Sequence, residues 1–86
     1  MTDLQPYLEA LGCAEKEPLG VRRRAINCLV RHGISSMEEL ADMPLDQIMR
    51  VRNLGEKTLA FTLEALTRFC AESGGEAVAL SELAEL

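Results

Sequence analysis

A chain of 86 residues has room for one small domain, and its 48% apolar content is enough for a packed core. That core must be aliphatic, because the aromatics are limited to Tyr7, Phe61 and Phe69; the abundance of Leu, Ala and Glu favours helices over strands. A net charge of -5 argues against a general polyanion binder, and three widely spaced cysteines argue against a zinc site or a disulfide framework. No apolar run approaches the ~20 residues that span a bilayer, and no signal-peptide pattern opens the chain. Reduced thiols in a cytoplasmic protein without metal, cofactor or membrane contact are the expectation.

A first helix is expected over residues 2–12. Thr2 or Asp3 can cap it, Leu4, Leu8 and Leu11 share one face, and Gly12 ends it. Residues 13–20 read as a polar connector containing Pro18, with Leu19 and Val21 as inward anchors. A second helix runs from about Arg22 to His32. Ile26, Leu29 and Val30 form its inward stripe, while Arg24, Asn27 and Arg31 fall on another face. Gly33 is a natural left-handed stop, and Ile34 can fold back onto the last turn.

Ser36 and Glu39 fit a capping box that opens a short helix, to about Ala41 or Asp42. Pro44 stands near the start of a further short helix, Leu45 to Val51, with Leu45, Ile48 and Met49 as inward residues. Asn53-Leu54-Gly55 is the next turn. The longest helix follows, from Glu56 to about Cys70. It carries Leu59, Leu63 and Leu66 on one stripe and Phe61, Ala65 and Phe69 on a neighbouring one, a face wide enough to pack on two sides. Ser73-Gly74-Gly75 ends it. Residues 76–86 form an acidic segment whose Val78, Leu80, Leu83 and Leu86 suit either a docked terminal helix or a disordered tail.

Charge is unevenly spread. Residues 19–60 hold seven of the nine basic side chains and five of the fourteen acidic ones, so the middle is positive and the flanks carry the acidity. A local basic patch acts on phosphates even in an acidic molecule, because physiological salt limits charge effects to roughly 8 Å.

The informative segment is Val51-Arg52-Asn53-Leu54-Gly55-Glu56-Lys57-Thr58-Leu59, in which a short helix ends, a tight turn follows and a helix begins at once. This is the pattern of a helix-hairpin-helix turn. A glycine there lets the backbone approach a ligand closely. The first amides of the next helix lack internal partners, and the helix dipole favours an anion over them. Lys57 can add a charge-assisted contact, and Arg50 and Arg52 bring two more cations; Glu56 opposes them. The plainer reading is a tight helix–helix connection with Leu54 as a core plug. A second feature is Arg22-Arg23-Arg24 at a helix head, where cations oppose the dipole. Of the three, Arg24 is the favoured candidate because Asn27 and Arg31 lie on its side.

Arg24-Ala25-Ile26-Asn27-Cys28-Leu29, then Gly33-Ile34, then Asn53-Leu54-Gly55-Glu56-Lys57-Thr58-Leu59, in this order and spacing, resemble the C-terminal domain of the bacterial RNA polymerase alpha subunit. That family shows R-S-x-N-C-L and N-L-G-x-K-S-L, and the likeness runs from about Glu17 to Gly74. It implies a compact bundle of four to five short helices, and division of the chain into an N-terminal helical extension (1–14), the helical domain (15–74) and an acidic C-terminal tail (75–86). It implies binding to DNA, at the backbone and in the minor groove of A·T-rich sequence, and contacts with RNA polymerase, sigma factor or transcription regulators. By match of motif, Arg24 corresponds to the arginine that enters the minor groove, Asn27 to the asparagine of the same block, and Asn53, Gly55, Lys57 and Thr58 to residues that hold the backbone. Arg52, beside the turn, joins the candidates by position. Departures are Phe61 in place of an acidic residue, Glu56 in place of a common lysine, and Val51-Arg52 in place of Thr-Pro.

Two functional readings stand. One is a DNA-binding transcription module, as an excised domain or, as Met1 and the extra first helix favour, a separate small protein. The other is a protein–protein interaction domain of the same fold that has lost DNA binding, for which the acidic flanks, Glu56 and an exposed Phe61 would speak. An enzyme is not expected. The one histidine, His32, sits at a helix end where a cation suits the dipole, and no cysteine has a histidine at motif spacing.

Overall fold

The periodicity of the sequence resolves into six α-helices in the computed structural model, which describes residues 1–11 and 19–85. These are α1 (Leu4–Ala10), α2 (Leu19–Arg31), α3 (Met37–Ala41), α4 (Leu45–Met49), α5 (Glu56–Ser73) and α6 (Val78–Ala84). The architecture is all-α; among the described residues the extended pairing is confined to an isolated bridge between Asp3 and Ser36. The expected stop at Gly12, the connector 13–18 and the side chain of Leu19 lie outside the described residues.

Local chemistry sets the helix ends. At the close of α2, Gly33 adopts φ 96, its amide donates to Val30 O (3.0 Å), and the Ile34 amide donates to Leu29 O (3.1 Å). That is a Schellman ending, with Ile34 folded into the core behind it. The buried Ser36 hydroxyl accepts the Glu39 amide at 3.1 Å and starts α3. The reciprocal arm of this box reaches Ser35, whose amide and hydroxyl both donate to the Glu39 carboxylate. Pro44 occupies the N-cap of α4, and Gly74 ends α5 at φ 75.

Asp3 occupies the N-cap of α1, but neither its carboxylate nor the Thr2 hydroxyl caps the helix. The Leu4 amide instead donates to Ser35 O (3.0 Å), and the Met37 amide donates to Thr2 O (2.9 Å). The Thr2 amide donates to Glu38 Oε1 at 2.8 Å, which holds the Glu38 carboxyl below its ordinary range. At the other end of α1, the Arg22 guanidinium donates to Leu11 O (2.9 Å) and Glu9 O (3.4 Å), satisfying carbonyls the helix leaves open. One member of the arginine triplet is therefore a structural clamp.

One core runs through the molecule. Leu4 and Leu8 of α1, Ala25, Ile26, Cys28 and Leu29 of α2, Met37 and Leu40 of α3, Ile48 of α4, and Phe61, Ala65, Leu66 and Phe69 of α5 are all buried, and Ala77 and Ala79 close it from the C-terminal side. Tyr7 meets Phe69 edge to face at 5.6 Å, and its hydroxyl donates to Glu72 Oε1 at 2.7 Å. Burial, and then the Glu72 carboxylate, push the Tyr7 hydroxyl up to about 12. The C-terminal segment is a helix docked on α4 and α5 rather than a free tail.

Three expectations are corrected. Val30 is 46% exposed, because at about 100° per residue it turns away once Ala25, Ile26 and Leu29 face inward. Met49 is 57% exposed, at the end of a helix whose inward face is taken by Ile48. α2 begins at Leu19, so the arginine triplet lies at its fourth to sixth residues and its conflict with the dipole is milder than the sequence implied. Phe61 is buried at 4% exposure, as its place on the apolar face of the long helix leads one to expect, so it offers no surface contact for the interaction-domain reading.

Candidate nucleic-acid interface

The turn between α4 and α5 takes its shape from two residues with different tasks. Asn53 carries the left-handed conformation, φ 67, one that asparagine tolerates better than most side chains. Gly55 does not: at φ -79 and ψ -179 it is extended and forms the N-cap of α5. Its contribution is the space that a Cβ would occupy. Leu54 is half-buried against the core, and its amide donates to Val51 O (3.2 Å), so the turn is also an ordinary structural connection.

Gly55 offers no side chain to the start of α5. Its carbonyl accepts both the Leu59 amide (2.8 Å) and the Thr58 hydroxyl (2.8 Å). Among the described residues, the amides of Glu56, Lys57 and Thr58 have no partner. Two neighbouring helix starts differ: the Ser36 hydroxyl caps α3, and Glu82 Oε1 accepts the Leu45 amide of α4 at 2.8 Å. No side chain caps α6 either, but no basic residue lies in or beside its first turn. A carboxylate of the protein thus fills the start of α4, while the start of α5, flanked by basic residues, is left open.

Beside this turn lies an open groove of about 1180 Å³. Gly20, Arg23, Arg24, Asn27, Cys28, Arg31 and His32 of the α2 segment form one wall, and Arg52 and Asn53 form the other. No carboxylate lines it. Of the sequence candidates, Arg24, Asn27, Arg52 and Asn53 therefore share one groove, and Gly55, Lys57 and Thr58 follow directly at the start of α5. Arg24, Asn27, Arg52 and Lys57 are exposed. Thr58 is buried at 2% exposure with its hydroxyl turned onto Gly55 O, so what it presents toward a ligand is its backbone amide. Glu56 is exposed in the first turn of α5. Arg23, which the sequence marks only as part of the arginine triplet, and His32, which it marks as a helix-end residue, join the lining without having been counted in the site. Arg31 was placed on the right face by its seven-residue spacing from Arg24, but not counted in the site.

Among the described residues, no group of three or more His, Cys, Asp or Glu side chains is placed to hold a metal ion, and no helix is long and apolar enough to cross a membrane.

A short helix, a tight turn and a long helix that opens on unpartnered amides together define a helix-hairpin-helix module within an all-α bundle. The sequence profile of the C-terminal domain of the bacterial RNA polymerase alpha subunit matches residues 17–68, and the protein belongs to that family. It is similar to the DNA-directed RNA polymerase subunit alpha of Clostridium beijerinckii, and to those of the Eklund 17B and Alaska E43 strains of Clostridium botulinum. Each is 49% identical over 43 residues, which make up 50% of this protein and 14% of the relative. The match thus spans a small part of the length of these relatives. No solved structure matches the protein at a significant level.

Proposed function

We propose that the protein is a DNA-binding transcription module that grips the phosphate backbone at the start of α5 and directs Arg24 into the minor groove of A·T-rich sequence. The observation that carries this reading is the juxtaposition of the uncapped amides of Glu56, Lys57 and Thr58 with a groove of arginines free of carboxylates. An oxyanion over those amides gains their hydrogen bonds and the positive end of an 18-residue helix. Lys57 adds charge, and Gly55 permits the approach. Asn27 and Asn53 supply hydrogen bonds along the groove, and Arg52 supplies a further cation. Membership of the alpha-subunit family supports the same reading, and with it contacts to RNA polymerase, sigma factor or transcription regulators. The module works by binding, without catalysis or cofactor, in the cytoplasm. Its working unit is the helical domain 15–74, flanked by the extension 1–14 and the segment 75–86.

Titration of an A·T-rich duplex into the 86-residue protein at two salt concentrations, followed by amide chemical shifts, tests this. Shifts at Arg24, Asn27 and residues 53–58, with affinity that falls as salt rises, are expected. An unchanged spectrum at low salt overturns the reading. It would favour a protein–protein interaction domain of the same fold, a reading supported by Glu56, whose negative charge stands exposed beside the expected phosphate.

A further inference from the structure

The groove holds more positive charge than one phosphate needs. Arg23, Arg24, Arg31 and Arg52 all line it, and among the described residues none of them makes an ion pair or a hydrogen bond within the protein. Arg22, their neighbour in sequence, is by contrast committed to the carbonyls of Leu11 and Glu9. Arg24 and Arg31 are seven residues apart on α2, which at ~1.5 Å per residue places them ~10.5 Å apart along the helix. That distance is about three base-pair steps of ~3.4 Å. Two arginines so spaced along one wall of the groove face different stretches of a duplex backbone laid along it. Arg23 is the weaker claimant to a second phosphate, because it also lines a neighbouring groove that contains Glu9. Arg31 faces no such carboxylate, and His32 stands next to it in the same wall.

We infer that Arg31, with His32 beside it, forms a second phosphate site in this groove, about three base-pair steps from the point that Arg24 reaches. The duplex is then contacted by Arg24 near the middle of α2 and by Arg31 at its C-terminal end. The inference rests on the DNA-binding reading above and adds a contact which that reading does not require. The contact is to phosphate rather than to a base edge, so it is indifferent to sequence.

Fluorescence anisotropy of A·T-rich and G·C-rich duplexes, titrated with the 86-residue protein over a salt series, tests it. Each phosphate contact adds about 0.9 to the slope of log affinity against log salt, so removing one makes the fall in affinity between ~50 and ~200 mM salt smaller by ~3.5-fold. R31A is expected to lower the slope by about that amount on both duplexes. R31K should restore most of it, and R68A, which removes an exposed arginine of α5 outside the groove, should leave it unchanged. A wild-type slope in R31A, with DNA still bound, overturns the second site and leaves the DNA-binding reading in place. Failure of the wild-type protein to bind at low salt overturns both. Arg31 and Arg68 are exposed, so the variants should fold as the parent does, which circular dichroism verifies.

Discussion

Replacing Gly55 with alanine should separate folding from binding. The backbone there is extended, φ -79 and ψ -179, which any residue adopts, and an added Cβ meets only Thr58 Oγ1 at 3.8 Å, an ordinary contact. Two small effects on stability oppose each other. A glycine removed from the unfolded state stabilises by ~0.4–1 kcal/mol, and alanine is a poorer N-cap than glycine by up to ~1 kcal/mol. The net change should stay within about 0.5 kcal/mol, so the melting temperature should move by no more than about 4 °C. Binding should respond quite differently. The methyl group stands at the mouth of the amide cluster and holds a phosphate away from it. Loss of one charge-assisted hydrogen bond costs about 1.5–3 kcal/mol, or roughly 10- to 150-fold in Kd. Calorimetric melting and anisotropy on the same preparation provide the two numbers. An intact melting temperature with unchanged DNA affinity would refute the close-approach argument. A large fall in melting temperature would refute the packing argument.

Three further outcomes follow from the geometry. Ser36→Ala removes the buried acceptor of the Glu39 amide and should cost about 1 kcal/mol, seen in thermal unfolding as a fall of roughly 4–8 °C. Asn53→Ala places a less tolerant side chain at φ 67 and should destabilise by about 1 kcal/mol, whereas Asn53→Gly should not; urea unfolding distinguishes them. Tyr7, the single tyrosine, should ionise near 12 in an ultraviolet titration of the folded protein. Its folded value is raised above the ordinary 10, so its contribution to stability is complete below pH 10 and is lost as pH rises toward 12; Tyr7→Phe should abolish that part of the alkaline loss.

Features that depend on residues close in sequence were legible, and features that depend on distant partners were not. Gly33, Ser36, Pro44 and Gly74 mark helix ends through the backbone and side-chain chemistry of their own neighbourhood, and each sits at a helix end in the structure. The turn at Asn53 and the Arg24–Asn27 face were legible for the same reason, one from turn chemistry and the other from helical spacing. Val30 and Met49 misled because hydrophobicity says a residue prefers burial, while the direction of its side chain depends on which neighbours already fill the core. Arg22 was indistinguishable from Arg23 and Arg24 in sequence; only the arrival of the C-terminus of α1 makes it a clamp. Phe61 departs from the acidic residue of the family pattern, but helical spacing with Ala65 and Phe69 marks it as a core residue, and it packs in the core. Tyr7 and Glu72 meet across 65 positions, a pairing that no local pattern announces.

The carboxylate of Glu82 at the head of α4 matters to anyone who would shorten this protein. Glu82 lies beyond the stretch 17–68 that the family profile covers, as do Ala77 and Ala79. A fragment cut at the profile's limits would strip the five-residue first arm of the hairpin of the carboxylate that accepts its leading amide, and would unroof the core beneath it. On the DNA-binding reading proposed above, such a fragment would hold a phosphate at the start of α5 less firmly than the 86-residue protein, without any change to a residue that touches it.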